Sequence, residues 1–322
     1  MKAIRIHAFG GPEVLTYEDV PEPAPKPNEA VVKVEAAGVN FIDIYQRTGI
    51  YKLALPLTLG LEGGGTVTAV GGDVKDIKAG DRVAWTIVPA AYAEYCSVPA
   101  DRLVVLPSGV TTKQGAAVML QGMTAHYLAH STYPLKAGDT CLVHAGAGGV
   151  GLLLTQIAKM RGARVMTTVS TEEKAALSRE AGADQVVLYT KHDFEAEAKA
   201  FSGGKGVSVV YDSVGLTTFE KSVNSLATRG MLVLFGQSSG VVPPVDPQHL
   251  SQKGSLFFTR PTLIHYIASK EELQARARDL FGWIASGALR LRTKFEFPLK
   301  DAADAHKALA GRKTTGKVLL SP

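Results

Sequence analysis

Cysteine is scarce: 322 residues contain two, Cys96 and Cys141, far apart in apolar, strand-like runs. Buried free thiols rather than a disulfide framework are expected, which fits a reducing, cytoplasmic setting. No run of about 18 apolar residues occurs, so no membrane span is expected. The opening Met1-Lys2-Ala3-Ile4-Arg5 leads into alternation instead of the apolar core of a signal peptide. Charge of one sign is equally thin. Thirty-five basic against 30 acidic residues leave a net +5, and no segment gathers Lys and Arg among aromatics. A nucleic-acid partner is therefore not expected, although a diffuse positive field would help recruit a polyanionic ligand. Repeats and low-complexity segments are also missing.

What is present is ample apolar content, 46% of residues, enough for a large core or two domains. To about Pro107 the chain reads as short strands: Met1–His7, Ala30–Ala36, Gly65–Val70, Arg82–Trp85 and Tyr92–Val98. Glycine- and proline-rich turn signals separate them. From Cys141 strand and helix alternate. Strands are expected at Cys141–His144, Arg164–Thr168, Gln185–Leu188, Val207–Tyr211, Met231–Phe235 and Ser255–Thr259. Helices are expected at Gly149–Arg161, Glu172–Ala181, Phe194–Phe201 and Thr218–Leu226. Six strands with crossovers imply an α/β, doubly wound parallel sheet. An amphipathic helix, Lys270–Ser286, then precedes strands at Arg290–Phe297 and Lys317–Leu320. The α/β unit is thus expected as an insertion, 124–261, between 1–123 and 262–322 of a β-rich domain.

Gly146-Ala147-Gly148-Gly149-Val150-Gly151 satisfies G-x-G-x-x-G, follows a predicted strand and opens a predicted helix. In that context it points to dinucleotide binding. Without Cβ atoms the backbone can approach a pyrophosphate, and the helix N-terminus offers N–H groups and a positive dipole end. NAD sites usually carry Asp or Glu about 20 residues on, at the end of the second strand. Here that place reads Thr168-Val169-Ser170-Thr171, with Lys174 one helical turn further. Ser170 can bond a phosphate without repelling it, and Lys174 can pair with it, so NADPH is expected. Glu172 and Glu173 complicate this, but acids in a helix's first turn also favour the dipole.

Three other motifs carry less. Gly236-Gln237-Ser238-Ser239-Gly240 has the G-x-S-x-G spacing of hydrolases, yet Val241-Val242-Pro243-Pro244 cannot open the helix a nucleophile elbow needs. Gly311–Lys317 nearly forms a phosphate-binding loop but is followed by Val318, and no helix follows. His126 and His130 are spaced as helical zinc ligands without a third partner in sight.

From Ile4 to Leu320 the chain resembles the medium-chain dehydrogenase/reductase superfamily, above all its NADPH:quinone oxidoreductase branch, which includes zeta-crystallin. Gly10–Leu15, Gly38–Asp43, Gly60–Gly63, Lys78–Val83, Ala145–Gly151, Tyr211–Gly215 and Thr315–Lys317 carry the resemblance. It implies a Rossmann domain inserted in a GroES-like catalytic domain, with the cofactor in the cleft between. In zinc-dependent relatives a cysteine and a histidine stand at the places of Asn40 and Leu61, and a four-cysteine loop holds a second zinc. Neither set exists here, so no metal is expected.

The resemblance further implies cofactor contacts by Asn40, Phe41, Asp43, Tyr45, Thr124, Tyr127, Gly148, Gly149 and Val150. Ser170, Lys174 and Tyr189 would hold the 2′-phosphate and adenosine. Ser213, Phe235, Gly236, Ser238, Ser239 and Gly240 would flank the nicotinamide, with Ile264, His265, Tyr266 and Arg312 adding contacts. The expected reaction is metal-independent hydride transfer from NADPH to a quinone, whose conjugated ring spreads the arriving charge. Tyr45 and Tyr51 are the candidate proton donors, with Asn40 a candidate donor to the carbonyl. Either tyrosine could instead only stack on cofactor or wall the pocket. Arg260 could guard the substrate mouth or bind a surface carboxylate. The apolar run Ser255–Thr259 is expected to end the sheet and to pair two copies into a homodimer. Two rival functions stay open: reduction of an activated alkene or enone, and a non-catalytic NADPH-binding structural or RNA-binding role.

Overall fold

A computed structural model describes all residues from Met1 to Pro322. The chain divides into two compact units, Met1–Met123 with Ile267–Pro322, and Thr124–Tyr266. The return to the first unit falls after Tyr266, so the segment Ile264–Tyr266 lies in the inserted unit. No helix is long and apolar enough to cross a membrane.

The first stretch holds β1 (Lys2–Ile6), β2 (Thr16–Asp19), β3 (Glu29–Val39), α1 (Phe41–Arg47), β4 (Leu57–Thr58), β5 (Glu62–Val70), β6 (Arg82–Thr86), β7 (Tyr95–Pro99) and β8 (Val104–Val105). Helix α2 (Thr112–Tyr127) then runs across the unit boundary. The inserted unit follows with β9 (Thr140–Val143), α3 (Gly149–Met160), β10 (Arg164–Val169), α4 (Glu172–Glu180), β11 (Gln185–Leu188), α5 (Phe194–Phe201) and β12 (Val207–Asp212). It continues with α6 (Phe219–Asn224), β13 (Leu226–Leu234), α7 (Pro247–Gln252), β14 (Phe257–Thr259) and α8 (Leu263–Tyr266). The chain closes with α9 (Lys270–Ala285), β15 (Phe295–Pro298), α10 (Ala302–Ala310) and β16 (Val318–Ser321).

The six inserted strands pair in the order β11-β10-β9-β12-β13-β14, all parallel. That is the doubly wound order with its switch point between β9 and β12, where such sheets take nucleotides. The first unit builds a seven-stranded sheet, β15-β16-β3-β5-β6-β8 with β7 against β3, and a three-stranded sheet, β2-β1-β4. Its core gathers Ile4, Val32, Leu59, Trp85, Tyr92 and Leu320, while Leu142, Met166, Val210, Val223 and Leu232 form a core of the second.

Several strand boundaries differ from the periodicity, three of them for a local reason. Residues 290–294 stay outside the ladder: Arg292 O accepts from Lys317 N–H at 2.8 Å, but the turn at Gly316 (φ +66°) interrupts the pairing, and β15 starts at Phe295, opposite Val318. Ser255 sits at φ 54° and cannot extend the strand, so β14 starts at Phe257. Conversely, β13 reaches back to Leu226 through a register shift opposite Val207 and Val209.

Candidate functional site

In the inserted unit the glycine-rich loop joins β9 to α3. Ala145 takes φ 54°, its carbonyl accepts from Gly148 N–H at 2.8 Å, and Gly146 N–H bonds Thr168 O at 3.0 Å. The three glycines serve three purposes. A Cβ on Gly146 would lie 2.6 Å from Thr167 Cβ, and one on Gly151 2.3 Å from Ala145 O. One on Gly148 would meet only Ala145 O within 3.9 Å, at 3.1 Å. Gly148 is the N-cap of the 12-residue helix α3 and provides no side-chain cap. The first N–H groups of a helix lack intrahelical acceptors, so this terminus suits an anion brought against bare backbone.

At the end of β10, Lys174 Nζ lies 3.4 Å from Ser170 Oγ, and Thr190 Oγ1 donates to Ser170 O at 3.3 Å. Glu172 is turned along the helix toward Arg179, 3.9 Å away. Tyr189 is exposed at the end of β11. A serine and a lysine 3.4 Å apart at the end of β10 fit a 2′-phosphate better than a ribose diol.

The loops after β12 and β13 are tied together by backbone bonds: Ser238 N–H to Ser213 O, Ser239 N–H to Val214 O, and Leu216 N–H to Gly240 O. Gly236 lies so close to Ser213 that a Cβ would stand 2.6 Å from its carbonyl oxygen. Ser238 therefore belongs to a backbone-laced loop with no helix behind it. Arg260 donates to Leu234 O at 3.2 Å and to Gln237 Oε1 at 3.4 Å.

Beneath these loops is a buried network that sequence reasoning missed. Asp212 accepts from Val214 and Gly215 N–H, Thr218 Oγ1 and Ser222 Oγ, at 2.7 to 3.0 Å. His144 bridges Thr168 Oγ1 (2.8 Å) and Ser222 Oγ (2.9 Å), and burial holds its pKa below the usual value. It fastens the ends of β9, β10 and β12, keeping the three loops in register. The only advance signal was Asp212 itself, an acid ending an apolar strand.

Tyr127 and Tyr266 stack at 4.2 Å, 8° apart, and Thr132 Oγ1 donates to Tyr266 Oη. Thr124 is buried; Ile264 and His265 are exposed. His126 and His130 stack at 4.3 Å, and His130 Nδ1 lies 3.1 Å from His126 O.

In the first unit, Asn40, Phe41, Asp43 and Tyr45 are brought together on α1 and its cap. Asn40 caps α1: its N–H donates to Asp43 Oδ2 at 2.7 Å, and its backbone carbonyl accepts from Asp43 N–H at 3.1 Å. Tyr45 meets Tyr51 edge-on at 5.4 Å and Phe41 at 6.1 Å; Tyr45 is buried and Tyr51 38% exposed. Arg312 lies at φ 56° in the turn after α10, a helix of the same unit.

Behind α1 the side chains of Asn40, Glu62 and Lys317 lock together. Lys317 Nζ donates to Glu62 Oε1 and to Asn40 Oδ1. Asn40 Nδ2 donates to Glu62 Oε1 (2.8 Å) and Gly38 O (3.3 Å), and Gln121 Nε2 donates to Asn40 Oδ1 (3.0 Å). Both amide hydrogens of Asn40 are therefore engaged inside the protein. Burial pushes Lys317 down to about 7 and Asp43 up to about 6, in each case opposed by the attraction between the two. Tyr92 Oη donates to Asp43 Oδ2 at 2.8 Å and touches His306 Nε2 at 3.2 Å; Arg47 reaches His306 Nδ1 at 3.1 Å. From the sequence, Glu62 is only the one carboxylate left where zinc-dependent relatives hold their metal, and Lys317 appears only within a motif.

This donor set does not fit a catalytic zinc. Leu61 offers no lone pair, the Asn40 oxygen and Glu62 already hold an ammonium, and no three His, Cys, Asp or Glu side chains converge anywhere.

Residues 149–284 match the family described as zinc-binding dehydrogenase, and 26–135 the alcohol dehydrogenase GroES-like domain. Over 323 aligned residues the chain is 47% identical to a quinone oxidoreductase of Pseudomonas aeruginosa, covering 100% of this chain and 99% of that one. The structure of Escherichia coli quinone oxidoreductase complexed with NADPH superposes with a TM-score of 0.98 at 44% identity, covering 100% of both chains. A 2-haloacrylate reductase from Burkholderia is 40% identical over 98% of each chain.

Proposed function

The chain belongs to the medium-chain dehydrogenase/reductase family, in its zinc-free quinone oxidoreductase branch, and from that membership we propose that it is an NADPH:quinone oxidoreductase. The observation that carries this reading is the α3 terminus, where Gly148 leaves the backbone open, taken with Ser170 and Lys174 at the end of β10. Bound NADPH supplies a hydride, which with one proton takes a quinone to its hydroquinone. Gly148, Gly149 and Val150 would hold the pyrophosphate, and Ser170, Lys174 and Tyr189 the 2′-phosphate end. Ser213, Phe235, Gly236 and Ser238–Gly240 would line the nicotinamide side, on loops held by Asp212 and His144. Thr124, Tyr127, Ile264, His265, Tyr266 and Arg312, together with Asn40, Phe41, Asp43 and Tyr45, complete the assigned contacts.

The acceptor needs no strong Lewis acid, because charge arriving on a quinone delocalises over its ring. What the chain supplies is orientation and a proton. Tyr45 and Tyr51 form an aromatic corner with two phenol groups, and the exposed Tyr51 is the one in exchange with water. We assign it the proton donation and Tyr45 the wall.

Titration of NADPH and NADH by nicotinamide fluorescence, followed by an acceptor panel, tests the reading. Rapid NADPH oxidation by 1,2-naphthoquinone or 9,10-phenanthrenequinone and not by 2-alkenals is the expected result; the reverse pattern refutes it. The similarity to a 2-haloacrylate reductase favours the second reading, reduction of an activated alkene, since that acceptor also takes hydride conjugate to a carbonyl. Tight NADPH binding with no turnover of any acceptor would leave the non-catalytic role.

The assembly we propose is a homodimer joined through β14. It is an edge strand of three residues, and Phe257 upon it is 57% exposed. An apolar open edge is a template for a second copy. Sedimentation should give twice the chain mass for the native protein and a monomer for Phe257→Glu; a native monomer at micromolar concentration would end this assignment.

A further inference from the structure

The buried ion pair in the first unit takes no part in the chemistry derived above. The Lys317 and Glu62 side chains are 3% and 0% exposed. Such a pair seldom stabilises a protein more than apolar side chains of similar size would, because desolvation offsets the attraction. Yet the fold is shaped around it. A Cβ on Gly38 would lie 2.2 Å from Glu62 Oε1 and 2.5 Å from Lys317 Nζ, so the strand gives up a side chain to admit the pair.

What the pair grips is the amide of Asn40. A carboxamide has two hydrogens and two lone pairs to use. Here Glu62 and Gly38 O take the hydrogens, and Lys317 and Gln121 fill the oxygen. Glu62 is itself anchored by the Leu120 N–H on α2, at 2.6 Å. Four segments thus meet on one residue: the end of β3, the start of β5, α2 and the approach to β16. That residue is the N-cap of α1, a helix of seven residues that carries Phe41 and Tyr45. So short a helix has little stability of its own. Its direction is set by its cap.

Resting on the quinone-reductase reading, we propose that Lys317 and Glu62 are positioning residues for the reduction: their pair clamps the Asn40 amide, sets the start of α1, and so aims the Tyr45–Tyr51 corner at the acceptor. The clamp acts on the acceptor side, since the residues assigned to the pyrophosphate and 2′-phosphate belong to the other unit.

The test is the full-length double variant Lys317→Met/Glu62→Gln, which removes both charges and strands neither. Its thermal midpoint should stay within a few degrees and its NADPH Kd within about threefold, while kcat/KM for 1,2-naphthoquinone falls about ten- to a hundredfold, the scale of a small misplacement. A purely structural pair would instead lower the midpoint and leave kcat/KM intact. A folded double variant with native kcat/KM overturns the proposal. Should the double variant not fold, Gln121→Met, which removes one of the four bonds to Asn40, is read by the same criterion. The native enzyme is assayed alongside with quinones and 2-alkenals. Failure of the native enzyme with quinones refutes the parent reading, and the variants are then compared on the acceptor it does reduce.

Discussion

Gly148→Ala should leave the chain folded and strip it of most of its affinity for NADPH. At φ −75° and ψ 172° the backbone there already suits alanine. The new methyl would lie 3.1 Å from Ala145 O and 3.9 Å from Ala145 Cβ, a contact relieved by a shift of a few tenths of an ångström. Alanine is a few tenths of a kcal/mol or more worse than glycine as a cap, and a less flexible unfolded chain returns about 0.4–1 kcal/mol, so stability changes little. The midpoint should move by no more than about 2–4 °C. For a phosphate seated on the N–H groups, however, the methyl stands in the way. Losing one charge-assisted hydrogen bond costs about 1.5–3 kcal/mol, or about 10- to 100-fold in Kd. Gly151→Ala is the control, because its Cβ would press to 2.3 Å against backbone oxygen and should destabilise the unit by about 1–3 kcal/mol with or without ligand. Differential scanning fluorimetry and nicotinamide fluorescence separate the two effects. A Gly148→Ala protein that binds NADPH like the native one, or that loses as much stability as Gly151→Ala, would refute the reasoning.

Lys174→Glu should weaken NADPH at least tenfold more than NADH, as expected for replacing attraction by repulsion at one phosphate; equal losses in paired titrations would remove Lys174 from the 2′-phosphate. His306 is pushed by burial, and then by Arg47 beside it, from the usual 6.5 down to about 3. Between those values the unfolded chain takes up a proton that the folded chain refuses, so stability falls with acid by about 1.4 kcal/mol per pH unit. His306→Gln should remove that component from urea titrations at pH 6, 5 and 4; parallel slopes would show that His306 does not contribute it. Asp212→Ala leaves the Val214 and Gly215 N–H groups and the Ser222 hydroxyl without their acceptor, while Thr218 keeps Gly215 O, and should cost about 3 kcal/mol or more. Asp212→Asn, which keeps an acceptor for the N–H groups, should cost visibly less in the same melt.

The inserted sheet was legible because its signals are local. Helix α5 and strand β11 fall at the expected residues, and the other strands shift by only a few positions. Glycines at the ends of elements and the change from period two to helical spacing are written in short windows of chain. The boundary errors arose where a distant partner decides. Residues 290–294 had strand composition, but beyond the Lys317 N–H bond to Arg292 O their ladder begins only where Val318 meets Phe295. The cradle at Gly148 was legible for the same reason the sheet was: motif, strand and helix are contiguous. The clamp on Asn40 was not, because its members lie 22, 81 and 277 positions from Asn40. Nor does the sequence announce that Lys317, just before an apolar strand, points inward. A lysine there reads as ordinary surface charge until Glu62 is placed opposite.

Glycine composition hides a further distinction that only coordinates reveal. Gly63, Gly64 and Gly65 follow Glu62, and added Cβ atoms would press on Trp85 at 2.5 Å, Thr112 O at 2.3 Å and Lys33 O at 2.0 Å. These glycines make room for the protein's own atoms, letting β5 pass under α2 and against Trp85 while Glu62 is carried inward. Gly148 differs: the space its missing side chain leaves is bounded only by Ala145, its oxygen at 3.1 Å and its Cβ at 3.9 Å. Openness alone proves nothing, since surface glycines such as Gly80 and Gly138 also meet nothing. At Gly148 the opening coincides with an uncapped helix terminus at the switch point of a parallel sheet, and that conjunction supplies both the room and the charge for a phosphate. Two glycine-rich runs of similar appearance therefore do opposite things. One closes the fold over a lysine it must keep, and the other holds the fold open for a cofactor it must admit.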